Sequence, residues 1–174
     1  MSQTVPSFAE LLDSARHSAV HLEMRDVYAV EEEKTAVDAW RRDGTVPAAD
    51  SEFWREWVEL VTRTVKRGVT MRRARIVSEP VSEYIRFEHA ITPVNVAAGE
   101  QVRWLPRAHA CGLALPGSDF WLIDEKAVGF NVFSGDGQAT DPQYTEDTSV
   151  ARLCAQAFAA VWERAVPHDQ YQLT

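Results

Sequence analysis

A chain of 174 residues with 45% hydrophobic and 25% charged side chains has the composition of one ordinary globular domain, expected to span residues 1–174. Its 26 acidic against 18 basic side chains leave a formal charge of -8, which argues against nonspecific nucleic-acid binding, where a basic face is the rule. No apolar run approaches the roughly 20 residues that span a bilayer, and the first residues lack a basic start and an apolar stretch. Cys111 and Cys154 form no Cys-x-x-Cys pair. The expectation is a cytoplasmic protein with no membrane contact and no structural disulfide.

Ser7-Phe8-Ala9-Glu10 reads as a capping box, and Phe8, Leu11, Leu12 and Ala15 follow at helical spacing. The period changes to two around Val20, Leu22 and Met24, with His21, Glu23 and Arg25 on the other face; this is a half-buried strand that Val27 to Val30 extends. Glu31 to Arg42 is helical, with Val37 and Trp40 as its apolar side, and Gly44 and Pro47 mark a loop. A stronger helix follows Asp50 and Ser51, carrying Trp54, Trp57, Val58, Val61 and Val65 on one stripe and ending near Gly68. Val69 to Val77 is β-rich and reads as a central strand.

Pro80 is expected to open a helix through Tyr84, Ile85 and Ile91, with Pro93 forcing a break or a new first turn and Gly99 closing the region. Gln101 to Leu105 is a strand. Phe120–Ile123 and Val128–Phe133 are a strand pair joined at Asp124-Glu125-Lys126, and Ser134 to Asp147 is a turn-rich connection. Val150, Leu153, Cys154, Ala157, Phe158, Val161 and Trp162 make the clearest helix, stopped by Pro167. Alternating helices and strands predict an α/β fold, a mixed sheet sandwiched by helices.

Ligands of such sheets bind beyond the carboxyl ends of the strands. Ser78, Glu79, Tyr84, Arg86, Glu88 and His89 follow that end of the Val69–Val77 strand, offering an acid, a base, a phenol and an anion-binding fork. Helix capping and an Arg–Glu network are the plainer use of the same groups. Glu23 and Arg25 share one face of the first strand, and Arg73 and Arg75 one face of the central strand, so two such strands side by side would bury carboxylate–guanidinium pairs. His17 and His21 have the i,i+4 spacing of helical zinc ligands, but the period changes there and no third ligand is evident, so neither a metal nor a cofactor is expected. Lys66-Arg67 and Arg72-Arg73-Ala74-Arg75 are the one local basic run, read as solvated helix-end and strand residues. Direct DNA recognition would need them to form a continuous exposed strip.

The segments Arg73 to Arg86, Asp119 to Asp124 and Phe130 to Gly137 resemble an actinobacterial family known as domain of unknown function 6879, over nearly the whole chain. That resemblance implies a possible role beside helix-turn-helix regulators. A more remote resemblance is to the phospholipase D/nuclease superfamily, as a single repeat. Its motif places a histidine and a lysine two residues apart and an aspartate five after the lysine. Asp124 keeps the acid, whereas Gly117 and Asp119 take the histidine and lysine slots, and Asn131 is similar to the asparagine that follows the motif. A glycine cannot act as nucleophile and a carboxylate repels phosphate.

The leading expectation is therefore a noncatalytic phospholipase D-like module, a regulatory protein acting through protein partners, a homodimer, or a small bound anion. The alternative is an enzyme on a nucleotide or phosphorylated small molecule using Glu79, Tyr84, Arg86 and His89 as replacement catalytic residues. Candidate ligand-binding residues are Glu23, Arg25, Arg75, Glu79, Tyr84, Arg86, His89, Asp119, Trp121 and Asn131.

Overall fold

Residues 5–174 are described by a computed structural model. Ser7 caps α1 (Phe8–Ser14) through the reciprocal box with Glu10, as its spacing requires. β1 (Ser18–Glu23) leads through a loop to a 3-10 turn (Glu31–Glu33), α2 (Lys34–Asp43) and α3 (Glu52–Lys66). Then come β2 (Thr70–Val77), α4 (Glu83–Ala98), β3 (Gln101–Pro106) and the single turn α5 (Arg107–Ala110). The chain closes with β4 (Asp119–Ile123), β5 (Ala127–Asn131), β6 (Gln143–Thr145), α6 (Thr148–Arg164) and β7 (Val166–Pro167).

The seven strands form one mixed sheet in the order β6-β5-β4-β1-β2-β3-β7. β1, β2 and β3 are parallel, joined by helical crossovers, while β4 runs antiparallel to β1. β2 is therefore central, and its last five residues are all buried, as a strand covered on both faces should be. α6 covers one face: Ala151, Cys154, Phe158 and Val161 pack on Val20, Leu22, Ala74, Ile76, Phe120 and Leu122. Fully burying a side chain such as Phe120 contributes on the order of 2–3 kcal/mol.

Two apolar patches cover the opposite face. In one, Leu11, Leu12, Leu60 and Val61 pack on Ala19, Met71, Trp121 and Ile123. In the other, Trp54, Ile85, Phe87 and Ile91 pack on Val77, Val102 and Trp104. Gly129 lets α1 approach, since a Cβ there would lie 3.0 Å from Leu11 Cδ1.

Several expectations shift. β1 stops at Glu23, so 24–30 is loop and Arg25 leaves the strand face. Pro80 does not open α4; Ser82 does, accepting from the Ile85 N–H at 3.1 Å. Pro93 does not break α4, because a face made of Tyr84, Ile85, Phe87, Glu88, Ile91, Thr92 and Asn95 stays packed while the proline itself faces solvent. The connection after Phe133 contains the edge strand β6. Among the described residues, no helix is long and apolar enough to cross a membrane.

Candidate ligand-binding site

Between the two patches the inward side chains of the sheet turn polar. Strand alternation puts His21 and Glu23 of β1, Arg73 and Arg75 of β2, and Asp119 of β4 on this face. Register then brings them together, with His21 opposite Arg73 and Trp121, Glu23 opposite Arg75, and Asp119 opposite Asn131. They floor a cavity of about 780 Å³ whose walls come from α1, the loop after β1, the 3-10 turn, α3, α4 and Phe133.

The floor is an ion network. Glu23 accepts from Arg73 Nη1 at 2.7 Å and from Arg75 Nε at 2.5 Å. Arg73 also reaches Glu100 at 2.8 Å, and Asn95 holds the other Glu100 oxygen at 2.9 Å. Arg75 pairs with Glu88 and donates to Thr92 Oγ1 at 3.0 Å. Burial alone would raise the Glu23 carboxyl, but Arg75 and Arg73 overcome it and hold it well below the usual carboxylate range. Each guanidinium is thus engaged by two carboxylates.

The acids nearer the walls behave oppositely. Burial, reinforced by Glu88, pushes Glu33 up to about 7, although Tyr84 donates to it at 2.6 Å. Burial pushes Asp119 up to about 6, against the stabilising hydrogen bonds from Tyr28 and the Met24 N–H at 2.9 Å. Among the described residues neither Glu33 nor Asp119 forms an ion pair. Desolvation lowers His21 to about 3, so its ring is neutral; it stacks on Trp121 at 4.2 Å, and its Nδ1 has no hydrogen-bond partner.

Of the candidates read from the sequence, Glu23, Arg75, Tyr84, Asp119 and Asn131 line this cavity, and Trp121 supports it through His21. Arg25 lies just outside, its guanidinium 5.3 Å over the Phe133 ring. Glu79, Tyr84, Arg86 and His89 are not brought to one place. Glu79 accepts from Tyr171, and His89 packs against Tyr171 and His168 on the C-terminal segment. Arg86 is exposed and donates to the Thr174 carbonyl. Only Tyr84 of the four faces the cavity, whereas Glu79, which precedes α4, and Arg86 and His89, on another side of that helix, all meet the C-terminal segment.

His21 lies in β1 and His17 in the bend just before it, so the pair does not share a helix face and its spacing is not that of a helical ligand pair. Among the described residues no group of three or more His, Cys, Asp or Glu gathers to hold a metal. Arg73 and Arg75 of the basic run are buried, so that run is no exposed strip. The expectation of a small anion meets a floor whose cations are already neutralised.

Tyr28 and Glu33 line the cavity without a signal in the sequence. Tyr28 lies in an irregular loop, where no period marks an inward side chain, and Glu33 stands in an acidic triplet that resembles a solvated helix start.

A family model described as a domain of unknown function, DUF6879, matches residues 6–173. The chain belongs to this family. No curated protein matches this DUF6879 chain. Among solved structures, a phospholipase D family member, Nuc from Salmonella typhimurium, is similar at 10% identity, covering 91% of this chain and 86% of that one, with a TM-score of 0.54. NucT from Helicobacter pylori is similar at 11% identity over 91% and 87% of the two chains, with a TM-score of 0.53. The DUF6879 chain thus has a phospholipase D-like α/β fold.

In that frame Asp119 occupies the cavity and Gly117 lies exposed before β4. Asp124 does structural work: its carboxylate accepts from the backbone N–H of Arg16, His17 and Ser18 at 2.7 to 2.9 Å, tying the tight β4–β5 turn to the start of β1. Those backbone hydrogen bonds hold Asp124 below its ordinary pKa against the opposing effect of burial.

Proposed function

We propose that this chain is a noncatalytic phospholipase D-like module that works by binding, taking a small ligand in the floored cavity and acting on protein partners in a regulatory role. The helix-turn-helix regulator implied by the family resemblance is the partner of choice, and a second copy of the chain is another. One observation carries the reading. The slot that the phospholipase D pattern gives to a lysine holds Asp119, and the two buried arginines of the same floor, on β2 beyond β1, are each spoken for by carboxylates. A phosphoryl group would find no uncommitted cation in the floor to stabilise the charge that builds up during displacement.

A second reading, replacement chemistry, is favoured by one detail: His21 is neutral, faces the cavity and has an unpartnered Nδ1. It is the better candidate nucleophile or base than His89, which lies against the C-terminal segment. Hydrolysis of bis(4-nitrophenyl) phosphate and of single-stranded DNA by the purified chain separates the two readings. A binding module gives no turnover above buffer; turnover that disappears in His21→Ala while the variant stays folded refutes it.

A further inference from the structure

We propose that the cavity takes an organic cation, an ammonium or guanidinium group carried on a flat apolar body; the proposal rests on the binding-module reading. Charge is the first argument. Glu23, Glu32, Glu33, Glu88 and Asp119 face the space against two guanidiniums, Arg73 and Arg75. Because Glu23, Glu88 and Glu100 already engage both arginines, Glu33 and Asp119 are left without a cation. A ligand cation near them would supply the missing countercharge beside partly buried carboxylates, where an ion pair is worth more than at the open surface.

The walls give the second argument. Phe8, Tyr28, Phe53, Trp54, Trp57 and Phe133 line the space, and aromatic faces attract cations through their quadrupoles. Two arginines of the chain already use them: Arg73 lies 5.4 Å from the Trp57 centroid and Arg25 lies 5.3 Å from that of Phe133. An aromatic box over an acidic floor is the arrangement that recognises quaternary and primary ammonium groups.

Unmet hydrogen bonds are the third. His21 and Trp54 are each 6% exposed and line the cavity, yet His21 Nδ1 and Trp54 Nε1 have no partner. Buried polar atoms of this kind are normally satisfied. The Asn131 amide N–H faces His21 Nε2 at 3.4 Å, which puts the ring proton on Nδ1, 3.7 Å from Glu23 Oε1 and short of a hydrogen bond. A volume of about 780 Å³ falls inside the range of small-molecule sites, about 300–1,000 Å³.

The test is isothermal titration calorimetry of the full chain with phenethylamine, tryptamine and benzyltrimethylammonium, against the neutral phenethyl alcohol and the anionic phenyl phosphate. The cations are expected to bind, phenethyl alcohol at least about tenfold more weakly, and phenyl phosphate not at all. Glu33→Gln with Asp119→Asn should weaken the cations about tenfold while far-UV circular dichroism is unchanged. Phe133→Leu, which leaves the acids in place, should weaken benzyltrimethylammonium more than phenethyl alcohol. Phenyl phosphate binding as well as phenethylamine, failure of every cation to bind, or full affinity in the Glu33→Gln, Asp119→Asn variant would each overturn the assignment. Those outcomes leave the binding-module reading standing; hydrolysis of bis(4-nitrophenyl) phosphate would sink that reading instead.

Discussion

Glu23→Gln is the sharpest perturbation of the network that floors the cavity. The glutamate is a shared anion, 2.7 Å from Arg73 and 2.5 Å from Arg75, with its side chain only 14% exposed. Glutamine keeps the size but loses the charge, and its NH₂ group meets guanidinium N–H, donor against donor. Removing one partner of a buried pair costs about 3–5 kcal/mol when the other charge is left uncompensated. Here Arg73 keeps Glu100 and Arg75 keeps Glu88, so the lower end applies, about 3 kcal/mol. For a chain of this size that lowers Tm by about 6–12 °C.

Urea unfolding followed by tryptophan fluorescence reads the effect directly. The acid limb adds a second check. Glu23 is held below its unfolded pKa, so its contribution is complete above about 4.5 and is lost as pH falls. The gap between wild type and variant should therefore close in acid. In a double-mutant cycle, Glu23→Gln with Arg75→Met should lose less than the sum of the two single changes, with a coupling of about 1–3 kcal/mol. A Glu23→Gln variant within about 0.5 kcal/mol of wild type at pH 7 would refute the picture of mutually dependent charges.

Glu33→Gln should gain on wild type as pH rises from about 4.5 to 7, by about 1 kcal/mol, and hold that gain above 7, because over that range the unfolded carboxyl ionises while the folded one stays protonated; parallel melts across that range check the sign. His168 is lowered to about 4, chiefly by burial, and its Nδ1 accepts from Trp104 Nε1–H at 3.1 Å. Its contribution is present above about 6.5 and is lost as pH falls toward 4, so the protection factors of residues 166–174, taken against the intrinsic exchange rate at each pH, should fall in that window, and not in His168→Gln. Asp124→Ala should cost about 2 kcal/mol in urea unfolding, since three backbone N–H groups lose their acceptor. Iodoacetamide should label exposed Cys111 in the native state and reach Cys154 only on unfolding, as peptide mapping will record; burial pushes the Cys154 thiol up to about 11.

Periodicity carried much of this fold. Phe8, Leu11 and Leu12, the α3 stripe from Trp54 to Val61, and the alternation of Val20 and Leu22 against His21 and Glu23 each mark a buried face in the chain itself. The same alternation pointed to Glu23 meeting Arg73 and Arg75, because inward charges on neighbouring strands must pair. It could not reveal that β1 stops two residues short of Arg25, nor that a packed face would carry α4 through Pro93. The cavity was only half legible for a similar reason. Its floor comes from strands, whose alternation is visible; its rim comes from Tyr28, Glu33 and Phe133, set by loop paths that leave no period. Arg86 and His89 share a helix with Tyr84, but its turn carries them to the side that meets the C-terminal segment, where Glu79 of the preceding loop also lies.

The sign of the charge at the floor decides how the fold is used. At an effective dielectric of about 20, a carboxylate about 4 Å from a phosphate charge opposes it by about 4 kcal/mol. Asp119 and Glu23 line the space, and Glu88 and Glu100 neutralise the arginines that would otherwise offset them. A lysine in place of Asp119 would add attraction for an anion, whereas the carboxylate adds repulsion. Similarity to Nuc and NucT is a similarity of fold, and function follows the groups grafted on a fold and not the fold alone.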